Sequence, residues 1–211
     1  MTTSPERRTV GILIFEGVEV LDFCGPFEVF SVTRRHDADG QPAKLFDVLT
    51  IAETSDVVVC TGGLKVVPDA TIDDHPPLDI VVVPGGMGTR REMTNRRLLD
   101  WVAARNGEAE LMTSVCTGAF LLANSALLEG LPATTHWASI DHLRELATDT
   151  MVRDDQRVVD TGRIITSAGI SAGIDLALHV VARLHGDQVA LGTARTMEYL
   201  GDWQHAAGNP V

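Results

Sequence analysis

The sequence predicts an α/β fold: a mostly parallel central sheet, helices on both faces, and a nucleophile elbow at the sheet's carboxyl edge. Three observations carry this. Short, almost continuous apolar runs read as strands buried on both faces. Helical patterns alternate with them, which implies parallel pairing. At Cys116-Thr117-Gly118, one strand passes into one helix through only three residues.

The first strand is Thr9-Val10-Gly11-Ile12-Leu13-Ile14-Phe15. A turn containing Gly17 leads to Leu21-Asp22-Phe23-Cys24-Gly25-Pro26, where Pro26 suits the first turn of a helix from Phe27 to about Thr33. Further strands are expected at Leu45 to Ala52, Ile80 to Val83, Glu110 to Val115 and Arg163 to Ser167, with a β-rich insertion from Val57 to Val67. Helices are expected at Arg96 to Asn106, Thr117 to Leu128, Ser139 to Ala147, Ser171 to His185 and Gln188 to Tyr199. No repeat or linker divides the chain, so residues 1–8 read as a flexible leader, 9–200 as one domain and 201–211 as a tail in which Trp203 packs on the body or on a second subunit.

With 45% hydrophobic residues and only 5% aromatic ones, the 211-residue chain has the Val, Leu, Ile and Ala filling of a sheet packed between helices. A net charge of −12 repels phosphate backbones and anionic membranes, which excludes nucleic acid as a partner. No run is long enough to span a bilayer, and the opening residues lack a signal-peptide core. Three scattered cysteines, Cys24, Cys60 and Cys116, argue for a reducing compartment, with the cytoplasm as the expected location. The seven histidines share no ligand spacing, so neither a metal nor another cofactor is expected.

The chemistry centres on Cys116. A tight strand-to-helix turn projects its thiol at the sheet edge, and the helix N-terminus is expected to favour thiolate. Gly85 and Gly86, in Val83-Pro84-Gly85-Gly86-Met87-Gly88, end another strand at the same edge. They form either an ordinary turn or a set of backbone N–H donors aimed at developing negative charge. Asp22 is either a helix cap or a carboxylate with a raised pKa that exchanges a proton with the thiol. His136, followed by Trp137, is the histidine best placed downstream of the elbow. The small residues of Ala168-Gly169-Ile170-Ser171-Ala172-Gly173 serve either the site or close packing, with Ser171 as a helix cap. The stretch from Thr89 to Arg97, which includes Arg90, Arg91 and Arg96, reads as a solvated helix face.

Leu21-Asp22-Phe23-Cys24-Gly25-Pro26, Pro84-Gly85-Gly86, Thr113-Ser114-Val115-Cys116-Thr117-Gly118, Ala133-Thr134-Thr135-His136-Trp137-Ala138 and Ala168 to Asp175 together resemble the ThiJ/PfpI superfamily, which is class I glutamine amidotransferase-like. Within it the chain is most similar to the isocyanide (isonitrile) hydratases. The resemblance runs from Gly11 to about Tyr199. It implies a flavodoxin-like sandwich and a homodimer with active sites near the subunit interface. It also implies Cys116 as nucleophile, Asp22 as acid and base, and Thr117 beside the thiol. The expected reaction hydrates an organic isocyanide to a formamide through a cysteine thioimidate. Gly86 and Thr117 would bind polarised atoms, and His136 and Trp137 would line the pocket. Thr117 stands where the peptidase-like branch has His, which disfavours a Cys-His peptidase. Cys24 replaces a Thr of the hydratases and would bring a second thiol near the site. Two alternatives use the same motifs. One is a glyoxalase-type cysteine enzyme. The other is a thiol sensor related to AraC-type regulators, from which this chain's acidic character and its end at Val211 would remove direct DNA reading.

Overall fold

The computed structural model describes residues 7–36 and 40–207; residues 1–6 of the expected leader and 208–211 of the expected tail lie outside them. Seven strands form the central sheet: β1 (Arg8–Leu13), β2 (Phe46–Ala52), β3 (Ala70–Thr71), β4 (Ile80–Val83), β5 (Leu111–Val115), β6 (Val158–Asp160) and β7 (Ile164–Ser167). Their order across the sheet is β6-β7-β5-β4-β1-β2-β3. All neighbours are parallel except the edge pair β6 and β7. Every residue of β4 and β5 is buried, as strands covered on both faces require.

Helices α1 (Val20–Val32), α6 (Ala172–His185) and α7 (Asp187–Thr196) pack on one another as one layer. Helices α2 (Thr89–Glu92), α3 (Arg96–Glu108), α4 (Gly118–Asn124) and α5 (Ile140–Leu146) form the other. Phe30, Phe46 and Phe120 are among the largest fully buried side chains, each stabilising by roughly 1.5–3 kcal/mol. The chain moves from β1 to β2 on one side and then returns to β4 on the other. The strand order therefore reverses between β1 and β4, and a crevice opens beyond their carboxyl ends. The segments after β1, β4 and β5 all converge there.

Several expected boundaries shift for identifiable reasons. Helix α1 begins at Val20, seven residues before the sequence suggested, and Pro26 lies inside it. Pro26 removes one helical hydrogen bond, to the carbonyl four residues back, and the helix tolerates this because Gly25, Pro26 and Gly173 let α1 and α6 approach closely. Helix α4 stops at Asn124, short of the expected Leu128, because Ala126 adopts φ +56°. Leu127 N–H then donates to Leu122 O at 3.0 Å and Ala126 N–H to Ala123 O at 3.0 Å, a Schellman closure made without glycine. The β-rich insertion is a small hairpin, Val58–Val59 against Lys65–Val66. Strand β6 was not foreseen; it folds back on β7 through a turn at Gly162, where φ is +96°. In the tail, Trp203 is buried and Val158 N–H donates to Ala206 O.

One of the tight points of this architecture is Gly118, the first residue of α4. A Cβ there would lie 2.0 Å from Val83 O. We expect Gly118→Ala to cost about 2–3 kcal/mol through overpacking against backbone. Urea denaturation measures it; an unchanged midpoint would mean that β4 and α4 are not pressed together as described.

Candidate active site

Cys116 joins β5 to α4 in the left-handed region, φ +57°, which a residue with a Cβ adopts at a cost of about 1–2 kcal/mol. Hydrogen bonds hold it there. Its N–H lies 3.2 Å from both Ser167 O and Ala168 O beyond β7. Its carbonyl accepts from the Thr135 hydroxyl at 2.7 Å. This is the strand-turn-helix elbow expected from the sequence, and it leaves Cys116 only 6% exposed.

Asp22 reaches the same point from the opposite layer. It is the third residue of α1, fully buried, and does not cap the helix. One carboxylate oxygen accepts Gly85 N–H at 2.9 Å, the other Ile170 N–H at 3.1 Å, and the Cys116 thiol is its third partner. Burial pushes the Asp22 carboxyl up to about 7; the donors from Gly85, Cys116 and Ile170 pull against that rise, and Glu19 adds to it. The thiol departs from expectation. Burial, reinforced by the Asp22 charge, pushes Cys116 up to about 12, overriding the Thr117 N–H and hydroxyl that favour thiolate. A helix N-terminus lowers a thiol pKa, but burial raises it and outweighs the helix here. Here a carboxylate faces the sulfur, so thiol and carboxylate compete for one proton.

Gly85 makes the convergence possible. A Cβ on it would lie 2.5 Å from Thr117 N, 2.7 Å from Thr117 Oγ1 and 2.9 Å from an Asp22 carboxylate oxygen. Gly86, at φ +125°, likewise presses on the chain between Gly17 and Glu19. Both glycine N–H groups are already engaged, Gly85 with Asp22 and Gly86 with Thr117 Oγ1 at 3.1 Å. They build the site and are not free donors for a substrate anion, the role the sequence suggested.

Cys116, Asp22, Thr117, Gly85 and Gly86 thus come together, while His136 and Trp137 stand apart. His136 Nδ1 accepts Ala138 N–H within its own turn, and its ring packs over Gly169, where a Cβ would be 2.0 Å away. Trp137 is 81% exposed. With Thr134, Thr135 and Ala168 it borders an open cavity of about 290 Å³ beside the backbone that holds Cys116. Cys24, two residues beyond Asp22 on α1, is half-buried and interacts with Cys60.

Sequence reasoning missed two contributors, Ile170 and Thr89, and misassigned Ser171. Ile170 sits at φ +57°, an outlier for a β-branched residue, and this aims its N–H at Asp22. Nothing in its residue type announces that role. Ser171 occupies the helix-cap position without capping; its hydroxyl accepts from Arg157, which also pairs with Asp175. Thr89, assigned to a solvated face, is fully buried and touches Thr117. The arginines around it do face outward, Arg91 pairing with Glu92 and Arg97 with Glu53 and Asp73.

Known proteins resemble this chain in sequence and in fold. The chain is 36% identical over 203 residues to the isonitrile hydratase of Pseudomonas putida, covering 95% of this chain and 82% of that one. It is 25% identical over 198 residues to the HTH-type transcriptional regulator GbdR of Pseudomonas aeruginosa, of which it spans about half, 52%. Among solved structures, a ThiJ/PfpI family protein from Pseudomonas syringae superposes with a TM-score of 0.81 at 30% identity, over 94% of this chain and 77% of that one. Drosophila melanogaster DJ-1beta superposes at 0.77 with 19% identity, over 93% and 100%, a likeness of fold alone. The sequence profile of the DJ-1/PfpI family matches residues 8–183, and the chain belongs to that family.

Proposed function

We propose that the protein is an isocyanide hydratase, converting R–N≡C and water to the N-substituted formamide. The observation that carries this reading is the buried Cys116–Asp22 pair competing for a single proton. An isocyanide must receive a proton and a nucleophile on the same carbon. A thiol that passes its proton to an adjacent carboxylate supplies both.

In the first step, the Cys116 proton moves to Asp22 as Sγ bonds to the terminal carbon. Asp22 then delivers that proton to the same carbon, giving the thioimidate Cys–S–CH=N–R and a free carboxylate. Asp22 next takes a proton from water as the water oxygen bonds to carbon, and that proton passes to nitrogen. Collapse of the tetrahedral adduct forms the carbonyl and breaks the C–S bond. The hydroxyl proton returns through Asp22 to sulfur, and R–NH–CHO leaves. The Thr117 N–H and hydroxyl steady the sulfur whenever it carries charge. The sequence needs no metal or organic cofactor.

The likeness to the isonitrile hydratase supports the same reaction. A homodimer is supported by exposed apolar side chains that a second copy would cover: Leu21 and Met87, next in sequence to Asp22 and Gly86, and Leu64 and Val67, on and just after the hairpin bonded to Gly17 and Val18. Among the described residues no helix is long and apolar enough to cross a membrane. The test is loss of an aryl isocyanide's ultraviolet absorbance with matching formamide by chromatography. Lactate formed from methylglyoxal with no isocyanide consumed, or oxidation of Cys116 with no turnover of either, would overturn the reading.

A further inference from the structure

Arg157, just before β6, takes no part in the chemistry above, yet it holds both ends of the loop that frames the Cys116–Asp22 pair. Its carbonyl accepts Ala168 N–H at 2.9 Å, and Ala168 O in turn lies 3.2 Å from Cys116 N–H. Its guanidinium holds the other end: Nη2–H donates to Ser171 Oγ at 2.9 Å, and Nε–H donates to Asp175. Between these anchors stands Ile170, at φ +57°, whose N–H donates to Asp22 at 3.1 Å. A β-branched residue keeps that backbone only where its surroundings over-determine it.

The guanidinium is itself fixed. Asp175, in the first turn of α6, is 1% exposed, and a buried carboxylate needs its charge paired and its oxygens hydrogen-bonded. Arg157 Nε–H takes one oxygen, and the Tyr199 hydroxyl donates to the other at 2.7 Å. Because the guanidinium is planar and rigid, binding Asp175 through Nε sets where Nη2 points. It points at Ser171. A serine before a helix ordinarily turns its oxygen to the first-turn N–H groups; Ser171 makes no such cap and gives its oxygen to Arg157.

We infer that Arg157 is a positioning residue: by tying Ser171 to the buried Asp175, it keeps Ile170 left-handed and its N–H on Asp22. Arg157 touches no reacting atom and acts through Ser171 and Ile170. Without the tie, residues 170 and 171 relax toward the ordinary backbone of a helix start. Asp22 then loses a donor to its charged form, which raises its pKa.

This inference deepens the reading of Asp22 as the proton carrier and rests on it, but its test needs no isocyanide. Nuclear magnetic resonance supplies two readouts: hydrogen exchange of the Ile170 amide, and titration of the Asp22 carboxyl carbon, assigned as the signal missing from Asp22→Asn. Ser171→Ala removes the tie and leaves the Arg157–Asp175 pair. It should speed Ile170 exchange about tenfold while the amides of β1 and β4 keep their wild-type rates. It should also move the Asp22 midpoint up from about 7 by about half a unit, about a threefold change in its protonation equilibrium. Glu19 and Cys116, the titratable groups that act on Asp22, are the same in every variant. Ser171→Thr, which restores the hydroxyl, should return both readings to wild type. Arg157→Met should match Ser171→Ala at Ile170 and Asp22, and the double variant should go no further than Arg157→Met. Wild-type Ile170 exchange or an unmoved Asp22 midpoint in Ser171→Ala, no recovery in Ser171→Thr, or additive effects in the double variant would each overturn the assignment. So would equal acceleration of the β1 and β4 amides, which marks general loosening. Should Arg157→Met not fold because Asp175 is left unpaired, Ser171→Ala and Ser171→Thr decide by the same outcomes. Faster exchange and a raised midpoint in a protein that hydrates no isocyanide would leave Arg157 in this role and remove only the proposed substrate.

Discussion

Cys116→Ala should abolish isocyanide hydration, lowering kcat/KM by at least about a thousandfold, as loss of a covalent nucleophile does. The fold should survive the change. Removing Sγ deletes a small buried atom, while the hydrogen bonds from Cys116 N–H to Ser167 and Ala168 and from Thr135 to the Cys116 carbonyl belong to the backbone and remain. The φ of +57° is no harder for Ala than for Cys. Circular dichroism and thermal melting should therefore match the wild type within a few degrees while the absorbance assay reads background. An inactive variant that is also unfolded would say nothing of the thiol. A folded variant that retains wild-type turnover would exclude Cys116 as nucleophile, and with it the thioimidate.

The second large effect is expected at Asp22. Asp22→Asn keeps the shape, but its single oxygen can accept from only one of Gly85 N–H and Ile170 N–H and it cannot take the thiol proton, so kcat/KM should fall by about a hundredfold or more. Its pH dependence is more informative than its size. In the wild type the active form holds one proton on the pair, with Asp22 ionised and Cys116 a thiol. Activity should rise as pH increases through about 7, where Asp22 ionises, and in Asp22→Asn that limb should vanish. Stability should move the opposite way. The unfolded chain loses the Asp22 proton near 3.8 and the folded one near 7, so between those values the native state holds the extra proton. This group's contribution to stability is complete below about 4 and is lost as pH rises toward 7. Urea midpoints that decline over this range in the wild type, and stay flatter in Asp22→Asn, would agree. An acid limb that persists in Asp22→Asn would assign the proton transfer to another group.

The parts of this site that were legible in the sequence are those written in local pattern. The elbow follows from an apolar strand, a three-residue turn and an apolar helix, all within Leu111 to Asn124. Gly85 and Gly86 could be placed at the same edge because they end a strand of the same sheet. Asp22 and Cys116 lie 94 positions apart in sequence, so their meeting rested on family resemblance, and the geometry now accounts for it through Gly85, whose missing side chain leaves room for Asp22 and for Thr117, the residue after Cys116. The pKa of Cys116 was misjudged because a helix terminus is visible in sequence while burial beside a carboxylate is not. His136 looked suitable by residue type, yet its ring is committed to its own turn and to Gly169. Ile170 and Thr89 carried no compositional signal: one acts through a strained backbone, the other through a hydroxyl turned inward from a stretch that otherwise reads as surface.

Rapid quenching of the enzyme with an aryl isocyanide, followed by intact mass spectrometry, tests the shared-proton mechanism most directly. The mechanism predicts a transient species heavier than the protein by the full mass of the isocyanide, mapped to Cys116 and decaying as formamide appears. Formamide produced with no such adduct, or with the adduct on Cys24 or Cys60, would contradict it.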